Sequence, residues 1–217
     1  MTTPAPLRRS ERAGRLTLAA LTLGSGISIL DGSVVNIALK TIGDDLNAEL
    51  DALQWVVNGY LVALASLVLV GGALGDRLGR RRVYLAGMVV FAVGSALCAL
   101  APGVGWLIAF RILQGVGAAL VTPGALAIIQ AGFAPEDRAA AIGTWSGVSG
   151  IASAVGPFVG GWLLEHAGWP SIFWLNVPLC VVVIVVCLKF APESSNPEAG
   201  SGSTWPARCC RWWRWPP

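Results

Sequence analysis

The sequence predicts an all-α membrane protein, a bundle of six spanning helices. Three observations lead there. Apolar stretches of nearly 20 residues recur along the 217-residue chain, which is 55% hydrophobic and only 12% charged. Soluble domains carry about 25% charged residues, so this chain cannot cover its surface with polar groups. Two of the stretches, Val56 to Leu74 and Val83 to Phe110, contain no charged residue, and between them Asp76 to Arg82 packs one Asp and four Arg into seven residues. A soluble protein with a few buried helices would not repeat that pattern.

The elements follow in order. A basic tail, residues 1–15, carries Arg8, Arg9, Arg12 and Arg15. The first span runs from about Leu16 to Leu39 and holds one acidic residue, Asp31. It is longer than a signal h-region and lacks a clear cleavage site, so it is expected to remain as a helix. The second span covers Leu53 to Leu74. The third covers Val83 to Leu100, where Ala101-Pro102-Gly103 stops it. The fourth runs from Trp106 to Ile129, the fifth from Ala139 to Leu164 with an interruption expected at Gly156-Pro157, and the sixth from Ile172 to Phe190. At 1.5 Å rise per residue each can cross about 30 Å of hydrocarbon.

Arg and Lys gather at one set of ends. The amino-terminal tail, Arg77 to Arg82, Arg138 and Lys189 fall on one side, against Asp44, Asp45, Glu49, Asp51, Glu165 and a single Lys40 on the other. The bias predicts a plasma (inner) membrane protein with both termini cytoplasmic. From Ala191 the composition turns linker-like, and residues 191–217 are expected to be a disordered cytoplasmic tail. Its end, rich in Trp and Arg, suits the headgroup layer. Without periodicity, it better suits the product of a shifted or truncated reading frame.

Several functions are disfavoured. The net charge of +3 comes from residues clustered at membrane edges, which gives no case for nucleic acid. Cys98, Cys180 and Cys187 read as small apolar residues, Cys209 and Cys210 lie in the tail, and the single His166 is placed in a loop, so no structural metal is expected. No His, Cys or carboxylate pair gathers at a membrane face, so neither catalytic residues nor a cofactor are expected.

Four polar or glycine-rich segments stand out. In Gly72-Ala73-Leu74-Gly75-Asp76-Arg77-Leu78-Gly79-Arg80-Arg81-Arg82, glycines allow close approach and a tight turn. Asp76 can accept hydrogen bonds, and Arg80 and Arg81 can pair with acidic partners. The same charges would also serve as a simple topology anchor. In Asp31-Gly32-Ser33-Val34-Val35-Asn36, a carboxylate within an apolar span belongs in the bundle interior or a wet cavity, or caps a helix end. Asn36 is expected to bridge helices. In Arg111-Ile112-Leu113-Gln114-Gly115, the cation either snorkels or points inward, with Gln114 on the same face. In Gly150 to Gly161, Pro157 is expected to bend the helix, while Ala152, Gly156 and Gly160 form a small-residue stripe, as do Ser146, Gly150 and Ala154.

Together these segments resemble the second–third loop, first-helix, fourth-helix and fifth-helix antiporter signatures of the major facilitator superfamily. The fit is to the multidrug proton antiporter branch with fourteen spans. Trp169 to Pro178 is similar to the sixth-helix entry of that branch, with Pro170 where the pattern has Arg. The resemblance covers Leu16 to Pro192 and implies the six-helix amino-terminal half of a transporter. It implies proton-coupled export of hydrophobic or cationic small molecules. Asp31, Arg111 and Gln114 would act in the cavity or in proton coupling. Asp76, Arg80 and Arg81 would form a latch, with Glu136 or Asp137 as partner, and Gly156, Pro157, Gly160 and Gly161 would make the antiporter-type bend. A truncated or split half is expected to be inactive alone, its partners being protons, lipid and a missing second half or a second copy. The alternative is a membrane-integral interaction protein built on the same bundle.

Overall fold

The computed structural model describes residues 6–194. Six helices follow one another: α1 (Arg12–Leu46), α2 (Leu50–Leu78), α3 (Arg80–Ala99), α4 (Val104–Gly132), α5 (Pro135–Ala167) and α6 (Pro170–Phe190). All six are long and apolar enough to cross a membrane. Most run beyond the apolar stretches, because backbone hydrogen bonding continues into the flanking polar turns. Thus α1 begins inside the basic tail and reaches Leu46, where Asn47 takes a left-handed conformation (φ 49°) and its N–H caps Gly43 O. His166 lies in the last turn of α5 rather than in a loop.

The proline in α5 does not break it. Pro157 sits within one continuous helix, as Pro123 does in α4 and Pro178 in α6. The expected interruption is therefore absent, as membrane helices tolerate an internal proline without breaking.

Packing has an internal symmetry. α1 lies against α5 and α6, α4 lies against α2 and α3, and α3 meets α6. Mapping α1, α2 and α3 onto α4, α5 and α6 leaves these contacts unchanged, which is the mark of two related three-helix units. Glycines allow the tightest of them. Gly87 on α3 faces Gly117 on α4, where an added Cβ would stand 2.5 Å from Phe91 N and 2.8 Å from Gly87 O. On α2 the glycine pressed against α4 is Gly71, which abuts Ala119 O, whereas Gly72 has ordinary contact with Pro123. Gly156 and Gly160 of α5 rest on Ser33 and Val34 of α1, and Gly161 faces open space.

Two apolar clusters fill the interior. One, around Leu21, Tyr84, Phe91, Ile128 and Phe133, occupies the end that carries the basic loops. The other, around Val35, Ile42, Val56, Leu107 and Phe173, occupies the opposite end. Both segments flanking the bundle are tied to the basic end. Leu7 pairs with the α4–α5 turn through Leu7 N to Gly132 O (2.8 Å) and Ala134 N to Leu7 O (3.0 Å). Ala191 to Ser194 cross the α2–α3 turn, and the rest of the tail lies outside the described residues.

Candidate functional site

Between the two apolar clusters lies a polar layer, built from one residue or a few on each of five helices. Asp31 is its centre. Its Oδ2 accepts from Arg111 Nη1 at 2.5 Å, and its Oδ1 accepts from Gln114 Nε2 at 3.0 Å and Asn176 Nδ2 at 2.8 Å. Asp31, Arg111 and Gln114 are fully buried. The snorkelling reading of Arg111 therefore fails, since its guanidinium reaches a carboxylate inside the bundle rather than the interface.

The layer spreads outward from that ion pair. Arg111 Nη1 also donates to Gln114 Oε1 (2.8 Å), and its Nε donates to Val56 O on α2 (3.2 Å). The guanidinium lies 4.3 Å over the Tyr60 ring and 5.9 Å from that of Phe173. Tyr60 in turn donates to Ser28 O on α1 (3.2 Å). Asn176 Nδ2 also reaches Ser95 Oγ on α3 (3.0 Å), which donates to Phe173 O (2.9 Å). A charge in hydrocarbon is costly unless it is paired and hydrogen-bonded, and this arrangement supplies both.

Asn176, Ser95 and Tyr60 are absent from the sequence-based site. Asn176 gave a signal, being an amide inside a span. Ser95 gave none, because a serine in a membrane helix commonly bonds its own backbone. Asn36 behaves in that manner instead of bridging helices. It is exposed, and its Nδ2 donates to Gly32 O of its own helix at 2.7 Å.

An open cavity of about 370 Å³ lies where α1, α4 and α5 meet, lined by Ser25, Thr122, Trp145, Ser146, Ser149 and Ser153 among others, with no charged residue. Trp145 Nε1 donates to Ser25 Oγ across it (2.9 Å). Of the two small-residue stripes on α5, that of Ala152, Gly156 and Gly160 packs on α1, while Ser146 and Gly150 of the other face this cavity. Asp31, Arg111 and Gln114 do not line it; protein encloses them on every side.

At the basic end, Gly79 makes the α2–α3 turn with φ 107°, a conformation that favours glycine. Asp76 Oδ1 accepts from Arg80 Nε (3.0 Å) and Nη2 (2.8 Å). Arg81 does not reach Glu136 or Asp137. Asp137 Oδ2 instead accepts the backbone N–H of Arg9 at 2.9 Å, and Arg81 turns to the segment after α6. There Arg81 Nη1 donates to Ala191 O (2.9 Å), Arg81 N to Glu193 Oε1 (3.1 Å) and Arg80 N to Ser194 O (2.9 Å). The Glu193 carboxylate also lies 3.6 Å from Arg82 Nε. It thus caps the positive end of α3, where a negative charge is favoured.

Six helices long and apolar enough to cross a membrane, packed around a buried ion pair, define an integral membrane protein. The model of the Major Facilitator Superfamily matches residues 21–212, and the chain belongs to that family. It is 43% identical over 183 residues to a tetracenomycin C resistance and export protein from Streptomyces glaucescens, covering 84% of this chain and 34% of the relative. It is 38% identical over 178 residues to a riboflavin transporter from Clostridioides difficile, covering 82% and 39%. A methylenomycin A resistance protein from Bacillus subtilis is 42% identical over 173 residues, covering 79% and 37%. The chain thus spans little more than a third of the length of these relatives. A solved peptide transporter in complex with sulfate shares the fold at TM-score 0.72 and 17% identity, covering 90% of this chain and 44% of that one. A bacterial homolog of the human lysosomal transporter Spinster shares it at TM-score 0.67 and 20% identity, covering 91% and 49%.

Proposed function

We propose that this bundle is one half of a proton-coupled exporter of hydrophobic or cationic small molecules, with its half-site on the open face of α1, α4 and α5. The observation that carries this reading is the enclosed Asp31–Arg111 pair, because one carboxylate fixes the relative positions of α1, α4 and α6. A proton on Asp31 would remove the counter-charge of Arg111 and free these helices to repack. The export and resistance relatives support the direction of transport. The cavity's Trp, Ser and Thr side chains suit an apolar substrate with scattered hydrogen-bonding groups.

Alternating access needs two bundles that rock about a shared site. Here the cavity of α1, α4 and α5 has one wall, so the 217-residue chain by itself does not transport. A carboxyl-terminal bundle, or a second copy in the same orientation, would complete it. The basic end faces the cytoplasm in this reading.

Proteoliposomes test these statements together. The chain alone should give no proton-driven flux of a cationic dye. Co-reconstitution with the carboxyl-terminal bundle of the Streptomyces glaucescens relative should restore flux, and Asp31→Asn should abolish it. A cysteine at Asn47 in a Cys-depleted form should be labelled only from outside. Unchanged flux in Asp31→Asn would remove that residue from coupling, and flux from the chain alone would show that a second copy suffices.

Asp76, Arg80, Arg81 and Glu193 act in this reading as the latch that sets how the basic end opens. Partly exposed pairs contribute about 0–1 kcal/mol each, so they shift conformational populations more than folding. Glu193→Gln should raise the labelling rate of a cysteine at Arg77 while leaving the melting temperature nearly unchanged. An unaltered labelling rate would count against the latch.

A further inference from the structure

A second cavity, about 670 Å³ and distinct from the half-site, opens where α1 and α5 diverge at the basic end. Its walls are apolar, with Leu18, Ala19 and Leu23 on α1 facing Val148 on α5. Its rim is cationic, from Arg9 and Arg15. Thr22 also lines the cavity, but its Oγ1 is enclosed by protein, so the polar groups offered to an occupant are those of the rim.

The cavity opens to one particular flank of α5. Val148, Ile151, Val155, Phe158 and Trp162 recur at helical spacing and are all exposed, forming an apolar stripe that continues along the helix from the cavity wall. Ser146, Gly150 and Ser153, on the other flank, line the half-site instead. The large apolar side chains suit lipid, and the cavity lies at the basic end of that exposed stripe.

The nearby charges leave the rim positive. Arg9 Nη2 donates to Thr144 Oγ1 at 3.1 Å and forms no ion pair, and Arg15 forms none among the described residues. Asp137 accepts the backbone N–H of Arg9, and Glu11, one turn before Arg15, forms no ion pair among the described residues.

We propose that this cleft holds an anionic membrane phospholipid, its phosphodiester on Arg9 and Arg15 and an acyl chain along Leu18, Leu23 and Val148. An apolar slot with a cationic mouth recognises an amphipathic anion, and neither a neutral lipid nor a free anion satisfies both parts. The inference does not depend on transport.

Native mass spectrometry of the full chain, released from nanodiscs of phosphatidylglycerol or phosphatidylcholine, tests it. Phosphatidylglycerol should be retained more tightly. Arg15→Gln should weaken it about fivefold, the effect of one cation near an anionic surface, with phosphatidylcholine unaffected. Val148→Asn, which puts an amide in the acyl wall, should weaken both lipids alike. Arg9→Gln is the riskier variant because it frees Thr144, so the test relies on Arg15 and Val148. Equal retention of the two lipids, or inert Arg15→Gln and Val148→Asn variants, would overturn the site. Displacement of the lipid by inorganic phosphate would overturn it in favour of a free anion.

Discussion

Arg111→Ala should destabilise the bundle by about 3–5 kcal/mol, because it leaves the Asp31 carboxylate buried and without its counter-charge. Gln114 and Asn176 would remain as donors, but neutral amides do not replace a guanidinium. The loss is read as a fall in melting temperature and in the monodisperse fraction in detergent. Arg111→Lys should rescue little, since the present geometry uses Nε toward Val56 O and Nη1 toward both Asp31 and Gln114, which a single ammonium cannot reproduce. Asp31→Asn combined with Arg111→Gln should recover much of the stability, because it removes both buried charges. An Arg111→Ala protein as stable as the parent would show that water, not protein, solvates Asp31.

Gly117→Leu should be nearly as damaging, through a different cause. The atoms in the way are Phe91 N and Gly87 O, which are backbone and cannot rotate aside, so α3 and α4 must separate. Overpacking usually costs about 1–3 kcal/mol, and a rigid obstacle places this case at or above the top of that range. Gly161→Leu is the matched control, since nothing lies within 4 Å of its added Cβ. Equal thermal stability of the two variants would mean that the α3–α4 seam is looser than its geometry.

The spans, the basic turn and the three central polar residues were legible because each breaks a pattern within its own segment. Asp31 and Arg111 are charges in apolar runs, and Arg111 with Gln114 share a face by spacing alone. That Asp31 bonds Arg111, 80 residues away, was not legible, because pairing across helices is decided by how the bundle closes. Asn176 was visible as an amide but not as a partner of Asp31. Glu193 was hidden for a different reason. It follows the last residue of α6 by three positions, in a stretch whose composition reads as linker, yet it caps α3. At Pro157 only the interruption was misjudged, since a missing N–H leaves a membrane helix continuous more readily than local sequence suggests.

The exclusion of α5 from the polar layer has a mechanical consequence. Side-chain hydrogen bonds tie α5 to α1 and the segment before it only near the basic end, through Arg9 with Thr144, Asp137 with Arg9 N, and Trp145 with Ser25. Farther along, the seam is Gly156 and Gly160 against Ser33 and Val34, a smooth track with no directional bond among the described side chains. Contacts of that kind keep most of their energy when one surface slips along another, while hydrogen bonds do not. The other five helices are cross-braced into one stiff block, and α5 is a rail held at both ends, by these bonds at its foot and at its head by the short turn into α6, where Ser171 Oγ donates to Leu163 O. Between those fixings its middle can slip against the block without breaking the brace.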